Sequence, residues 1–183
     1  MNYTKVSKEV LYATDTIVTI NSKDIEQLKD MAARNPRKRM RICCHNNVNN
    51  TLHEMLIVHA KGAYVRPHKH MAKIESFHVI KGKLNVVIFK NDGSILKVVT
   101  MSDYRSGENF YYRLSKNYYH TVIPLSNWVI FHEITNGPFR YEGTKFASWS
   151  PEESDLKKTK IYLNGLEKQA AGFINGTSLK RRR

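Results

Sequence analysis

The spacing of apolar residues predicts one helix near the start of the chain. Between residues 21 and 36, apolar side chains recur at the three- and four-residue intervals of a helix, with Asn21 and Ser22 as candidate caps. Asn35-Pro36 ends this helix, because proline disfavours helical backbone in the residue before it. The preceding Thr16–Ile20 has the composition of a strand.

From Met40 to Ile134 the pattern becomes one of short apolar or alternating runs, rich in Val, Ile, Phe and Tyr and separated by turn residues. Asn91-Asp92-Gly93 lies between two such runs and predicts a hairpin, since all three residues tolerate positive φ. The predicted strands are Glu54–Ala60, Ala63–Val65, Ser76–Ile80, Leu84–Phe89, Ile95–Thr100, Asn109–Leu114, His120–Ile123 and Trp128–Ile134. This pattern predicts an all-β barrel or sandwich.

Length and composition fit one folded domain with extensions. The 183 residues are 41% hydrophobic and 25% charged, ordinary values for a globular protein. We divide the chain into an N-terminal extension (1–39), a barrel (40–150) and a C-terminal extension (151–183) with a weaker helical pattern over residues 155–171. No apolar run is long enough to cross a bilayer, and the first residues lack a signal-peptide pattern, so we expect a cytoplasmic protein that does not contact membranes. The only cysteines, Cys43 and Cys44, are adjacent and predicted to be free thiols.

The formal charge of +14 is concentrated in two segments. Residues 157–183 contain eight Lys or Arg against the single acid Glu167, and residues 34–41 contain five against none. The rest of the chain is nearly neutral, and neither an RNP1-like nor a C2H2 pattern is present, so nucleic acid is not the expected partner. Lys180–Arg183 predicts a mobile basic tail that solubilises the chain or docks an acidic partner.

The sharpest chemical signal lies between Gly62 and Gly82. His68 and His70 are separated by one residue, which on a strand directs both imidazoles to the same side, and Glu75 follows after a short loop. Two imidazoles and a carboxylate suit a divalent transition metal such as Zn, Fe, Mn, Ni or Co. His120, at the start of a late strand, is the candidate fourth ligand.

These residues resemble the first cupin motif, which is matched at every fixed position by Gly62, His68, His70, Glu75 and Gly82. The second cupin motif is matched only at His120, because Ser115, Asn117 and Pro124 stand where the motif has proline, glycine and asparagine. The resemblance implies a jelly-roll cupin barrel, a bound metal and a homodimer.

A narrower resemblance, over about residues 35 to 153, is to the WbuC family of cupin metalloproteins. It is carried by five stretches of sequence: residues 35–41 (NPRKRMR), 64–70 (YVRPHKH), 75–79 (ESFHV), 137–139 (GPF) and 146–153 (FASWSPEE). That family takes its name from gene clusters for bacterial surface polysaccharide (O-antigen) synthesis. The resemblance therefore implies a sugar-related setting without identifying a reaction.

Further residues near the motif are candidates for binding and catalysis. Arg66 and Lys73 could hold a phosphate or carboxylate, and Tyr64 could line a sugar pocket. Glu133 has the strand parity of inward-facing neighbours and, with Glu75, is a candidate for proton transfer. Packing or surface roles remain the alternative for each of them. His78 is expected on the outer face.

Two functions remain open at this point. The first is a metal-dependent enzyme, an isomerase, epimerase or dioxygenase, that acts on a small polar ligand such as a sugar or nucleotide-sugar. The second is a non-catalytic cupin whose metal is structural or helps to bind a ligand, with the basic tail docking a partner.

Overall fold

Two β-sheets face each other in the computed structural model, which describes residues 1–180. The larger sheet has seven strands, β1 (Tyr3–Lys5), β2 (Val10–Ala13), β3 (Arg39–Cys43), β4 (Leu52–Ala60), β6 (Glu75–Lys81), β9 (Tyr111–Leu114) and β11 (Trp128–Asn136). The smaller sheet has five, β5 (His68–His70), β7 (Lys83–Phe89), β8 (Ile95–Ser102), β10 (Tyr119–Pro124) and β12 (Thr144–Phe146). Their spatial orders are β1-β2-β3-β4-β11-β6-β9 and β12-β5-β10-β7-β8. Among these named strands of residues 1–180, only β2 and β3 pair in parallel.

Alternate residues of both sheets fill the space between them, as the period of two along a strand requires. Ile57, Phe77 and Phe131 of the larger sheet pack in one cluster with Leu84 and Val122 of the smaller sheet. Phe131 is 1% exposed. This apolar cluster therefore shows which side chains of β4, β6 and β11 face the interior of the barrel.

The predicted N-terminal helix is present as α1 (Ser22–Ala33). Asn21 caps it through a reciprocal capping box: its side chain accepts the backbone N–H of Asp24, whose carboxylate accepts the N–H of Asn21. Leu28 and Ala32 bury one face of the helix on the outer side of the larger sheet. The N-terminal segment thus contributes β1 and β2 to the larger sheet and covers the outer side of that sheet with α1.

The second helix, α2 (Leu156–Lys180), is longer than the predicted 155–171. Leu163, Leu166 and Ala170 pack on the outer side of the smaller sheet, so packing extends a helix that the sequence signals only weakly. Of the basic tail, Lys180 ends α2, and Arg181–Arg183 lie outside the described residues. Within residues 1–180, neither helix combines the length and apolarity needed to span a bilayer.

Several local predictions differ from the structure. Thr16–Ile20 and Ala63–Val65 form no strand, because no neighbouring strand pairs with either segment in the described sheets. The strands β1, β2, β3 and β12 had no assignment in the sequence analysis, whereas the strand expected for His68 and His70 is present as β5. The hairpin at Asn91–Gly93 is confirmed, with Gly93 at φ +88°. Cys43 and Cys44 are free, as predicted.

Candidate metal centre

Three imidazoles meet on the inner face of the smaller sheet. His68 and His70 share a face of β5, and His120 of β10 lies directly opposite His68 in the antiparallel register. One ring nitrogen from each histidine lies within 4.8 Å of those of the other two, close enough for one ion to contact all three. The strand pairing explains how His120, far along the chain, comes to the motif.

Hydrogen bonds on the far side of each ring orient these imidazoles. The Nδ1 atoms of His68 and His120 lie 2.9 Å and 3.0 Å from the backbone carbonyls of Arg66 and Tyr118, so both nitrogens carry a proton and donate it. A neutral imidazole protonated at Nδ1 has its lone pair on Nε2. Nδ1 of His70 lies 3.2 Å from the hydroxyl of Thr144. This orientation is typical of histidines that ligate a metal.

Glu75 reaches the histidines from the opposite sheet. Its Oε1 lies 2.9 Å from Nε2 of His120, and its Oε2 lies 3.4 Å from Nε2 of His70. Glu75 is 3% exposed and His120 1%. The first pair of atoms lacks the orientation of a hydrogen bond, and neither atom has another hydrogen-bond partner within residues 1–180. Buried polar atoms that converge in this way fit a shared cation, which would satisfy both.

The charges in this cluster favour an ionised Glu75 and a neutral His68. Burial opposes protonation of His120, but the neighbouring Glu75 carboxylate outweighs it and raises the pKa of His120. Burial opposes ionisation of Glu75, but His120 and the other two rings outweigh it and hold the pKa of this carboxyl below its usual range. Burial, and then the proximity of His120 and His70, lowers the pKa of His68 to about 3. Glu75 and His68 therefore offer lone pairs to the common point, and a divalent cation would displace any proton that Nε2 of His120 holds. A donor set of this kind suits a divalent transition metal.

A cavity of about 800 Å³ adjoins the histidines and opens between the sheets. Glu133 lines this cavity, as its strand parity predicts. Burial, and then the charge of Glu75, raises the pKa of Glu133 to about 8. A carboxyl group that holds its proton near neutral pH, in a cavity beside the histidine cluster, is suited to proton transfer.

The three candidate substrate-binding residues have different surroundings. Lys73 lines the cavity, and its ammonium lies 5.3 Å from the ring centroid of Phe139. Arg66 also lines the cavity, but its guanidinium pairs with Glu152 and donates to the carbonyl of Ala147. Tyr64 is 8% exposed.

The hydroxyl group of Tyr64 donates to the carbonyl of Pro151, and within residues 1–180 the side chain of Tyr64 does not line the cavity. The structure therefore brings Lys73 and Arg66, but not Tyr64, to the cavity wall. His78 is exposed on the outer face, where it was expected.

Sequence reasoning missed three polar residues of this region, Thr144, His59 and Arg41. Thr144 contacts His70 only because β12 pairs with β5. His59 and Arg41 line the cavity from β4 and β3. The alternation Arg39-Met40-Arg41-Ile42-Cys43, apolar at even positions, was the available signal for Arg41.

Comparisons with known proteins bear on the fold alone. A sequence-family model described as a domain of unknown function (DUF6016) matches residues 20–101, less than half of the chain. No curated protein sequence matches. Among solved structures, protein SO0799 from Shewanella oneidensis is similar with a TM-score of 0.52 and 9% identity, over 70% of this chain and 85% of that one.

Two other similar structures are more distant. The cupin domain of Cnp3 from Schizosaccharomyces pombe has a TM-score of 0.43 and 14% identity, over 54% of this chain and 64% of that one. Oxalate decarboxylase from Bacillus subtilis has a TM-score of 0.42 and 19% identity, over 53% of this chain and 24% of that one. The likeness to SO0799 covers most of both chains and shows a shared fold. The two facing, mainly antiparallel sheets confirm the predicted jelly-roll barrel.

Proposed function

We propose that this protein is a metal-dependent cupin in which His68, His70, His120 and Glu75 bind one divalent transition metal ion. The observation that carries the proposal is the convergence of buried Nε2 and carboxylate oxygen atoms, with two of the rings fixed from behind by backbone carbonyls. Three neutral nitrogens and one carboxylate leave a net positive ion with room for a further ligand when the metal accepts five or six.

The activity that this site supports best is a reaction on a small polar molecule such as a sugar or nucleotide-sugar. The cavity of about 800 Å³ is large enough for such a ligand and adjoins the histidines. A bound divalent ion supplies Lewis acidity to an oxygen of the ligand. Glu133 holds a proton at its carboxyl and gives or takes it, as isomerisation or epimerisation requires. The resemblance of several sequence segments to the WbuC cupins is the reason for proposing a setting in surface polysaccharide synthesis.

One observation favours the second function, a metal with a structural role. The histidines come from the smaller sheet, whereas Glu75 begins β6 in the larger sheet. An ion held by all four residues would join the two sheets and stabilise the barrel without any chemistry. In that case the ion would be enclosed by protein ligands and would not bind a ligand from the cavity.

Elemental analysis of protein purified without added metal tests the metal site. We expect about one transition metal ion per chain, and a loss of most of it in His68→Ala, His120→Ala and Glu75→Ala, because removal of one ligand typically weakens binding by several kcal/mol. The matched control is His78→Ala, which removes an exposed imidazole from β6 and should leave the metal content unchanged. Circular dichroism establishes that each variant is folded. Unchanged metal content in all three site variants would refute the proposal.

Cobalt substitution separates the two functions. The visible absorption of Co²⁺-loaded protein depends on the number of ligands on the ion, so a ligand that enters from the cavity changes the spectrum. If the ion has a coordination position that faces the cavity, we expect UDP-glucose or free glucose to change the absorption spectrum. A spectrum that neither sugar alters, in protein that holds one Co²⁺ per chain, would favour the structural role. The Glu133→Gln variant should keep its metal but no longer isomerise or epimerise the sugar, because it lacks the carboxyl group that transfers the proton.

A further inference from the structure

On the cavity side of the larger sheet, β3 contributes two charged side chains, those of Arg39 and Arg41. Arg39, Arg41 and Cys43 pair with His59, Ile57 and Met55 of β4, whose side chains face inward. The intervening Met40 and Ile42 pack under α1 on the other side. Strand alternation therefore directs two arginines of β3 into the cavity.

Most of the arginines at this cavity are neutralised by glutamates. Arg39 contacts Glu9 at 2.9 Å and Glu153 at 3.0 Å, and Arg37 pairs with the same two carboxylates. Arg66 pairs with Glu152. These guanidinium groups have their partners within the protein and are not available to a ligand without breaking an ion pair.

Arg41 differs from these arginines. Within residues 1–180, its guanidinium makes no salt bridge and no hydrogen bond, although it lines the cavity. Arg41 is exposed to solvent, and its positive charge adds to the effect of burial in lowering the pKa of His59. An unpaired guanidinium in such a place attracts an anion.

Lys73 supplies a second cation that no carboxylate pairs with in the described chain. It approaches from the loop before β6, whereas Arg41 lies on β3. Arg41, Lys73 and Glu133 all line the same cavity, where both cations oppose the rise that burial and Glu75 cause in the pKa of Glu133. Two cations that line one cavity beside the histidine cluster can hold an oxyanion.

We propose that Arg41, assisted by Lys73, binds the carboxylate or phosphate group of a small organic anion whose other end reaches the histidine cluster. This inference rests on the proposed function and narrows its ligand class to anionic molecules, such as a sugar phosphate or a sugar acid. A guanidinium offers two parallel N–H donors to an oxyanion, which also orients the ligand along the cavity.

Anion titrations monitored by NMR test the proposal. Inorganic phosphate and acetate are added to wild-type, Arg41→Gln, Lys73→Gln and Arg113→Gln proteins, each with and without Zn²⁺. Arg113 lies exposed on β9, so Arg113→Gln makes the same chemical change away from the cavity. We expect Arg41→Gln to weaken anion binding about tenfold to a hundredfold, as loss of a charge-assisted contact implies, and Lys73→Gln to weaken it less. The anion that binds more tightly shows whether the site prefers a phosphate or a carboxylate group.

The outcomes separate this proposal from the metal proposal. Because Arg41 does not contact the metal ligands, Arg41→Gln should keep the metal content of the wild type. Equal anion affinity in Arg41→Gln, Arg113→Gln and wild type would overturn the inference, and so would the absence of anion binding to a wild-type protein that holds zinc. Anion binding without any metal binding would refute the proposed metal centre and leave Arg41 as the anion site.

Discussion

Replacement of His59 is expected to remove part of the acid sensitivity of this protein. His59 is 6% exposed on β4 and packs edge-on against Phe131, with ring centroids 5.4 Å apart. Its Nδ1 atom has no hydrogen-bond partner within residues 1–180. Burial, and then the positive charges of Arg41 and Arg37, lowers the pKa of His59 from 6.5 to about 4. His59→Phe keeps the aromatic contact and removes the ionisable group.

The magnitude follows from the difference between the folded and unfolded pKa values. Above the unfolded value of 6.5, His59 is neutral in both states and does not affect the pH dependence. As the pH falls from 6.5 towards 4, the unfolded chain gains a proton at this residue that the folded protein does not, so the folded state loses stability. Each pKa unit corresponds to about 1.4 kcal/mol, which gives a loss of about 2 kcal/mol between about pH 8 and about pH 5.

Urea unfolding at the two pH values measures this effect, with EDTA present so that metal binding does not contribute. Other buried histidines also destabilise the wild type in acid, so the informative quantity is the difference between proteins in the pH-dependent change of unfolding free energy. We expect His59→Phe to lose about 2 kcal/mol less than wild type on acidification. The matched variant His78→Phe, at an exposed position, should behave as wild type. Equal losses in wild type and His59→Phe would refute the reasoning.

Three further substitutions test the fold by urea unfolding. Gly82→Ala should lower the free energy of unfolding by more than about 2 kcal/mol, because Gly82 has φ +87° and an added Cβ would lie 2.2 Å from the carbonyl oxygen of Trp128. A variant as stable as wild type would contradict this close packing. Phe131→Ala should cost about 3–5 kcal/mol, since its ring is fully buried between the sheets, and a loss below about 1 kcal/mol would argue against the cluster. Asn21→Ala should cost about 1 kcal/mol through the lost cap, whereas the exposed Asn49→Ala should cost little.

The residues that carry the candidate chemistry were found from the sequence because they are local. The spacing of His68, His70 and Glu75 reflects strand geometry and a short loop, which depend on neighbours along the chain. The inward orientation of Glu133 likewise followed from the parity of its strand. His120 was identified by type and position, but its approach to His68 depends on the pairing of β5 and β10.

Other features depended on contacts that no local pattern reports. The three-residue strands β5 and β12 are too short for a periodic signal, yet β12 brings Thr144 to His70. The partners of the arginines were equally hidden, because Glu9 and Glu153 are distant in the sequence from Arg39. Only these long-range ion pairs distinguish a neutralised arginine from an unpaired one.

The amino-acid sequence by itself determined the all-β class, the N-terminal helix and the identity of the metal-binding candidates, since periodicity, capping and motif spacing are properties of adjacent residues. The tertiary structure alone decided that Glu75 faces the histidines from the opposite sheet, that Tyr64 lies away from the cavity and that the guanidinium of Arg41 has no ion-pair partner among residues 1–180. The physical reason is that burial and charge pairing arise when segments distant in sequence pack together, and these two quantities set the chemistry of the cavity.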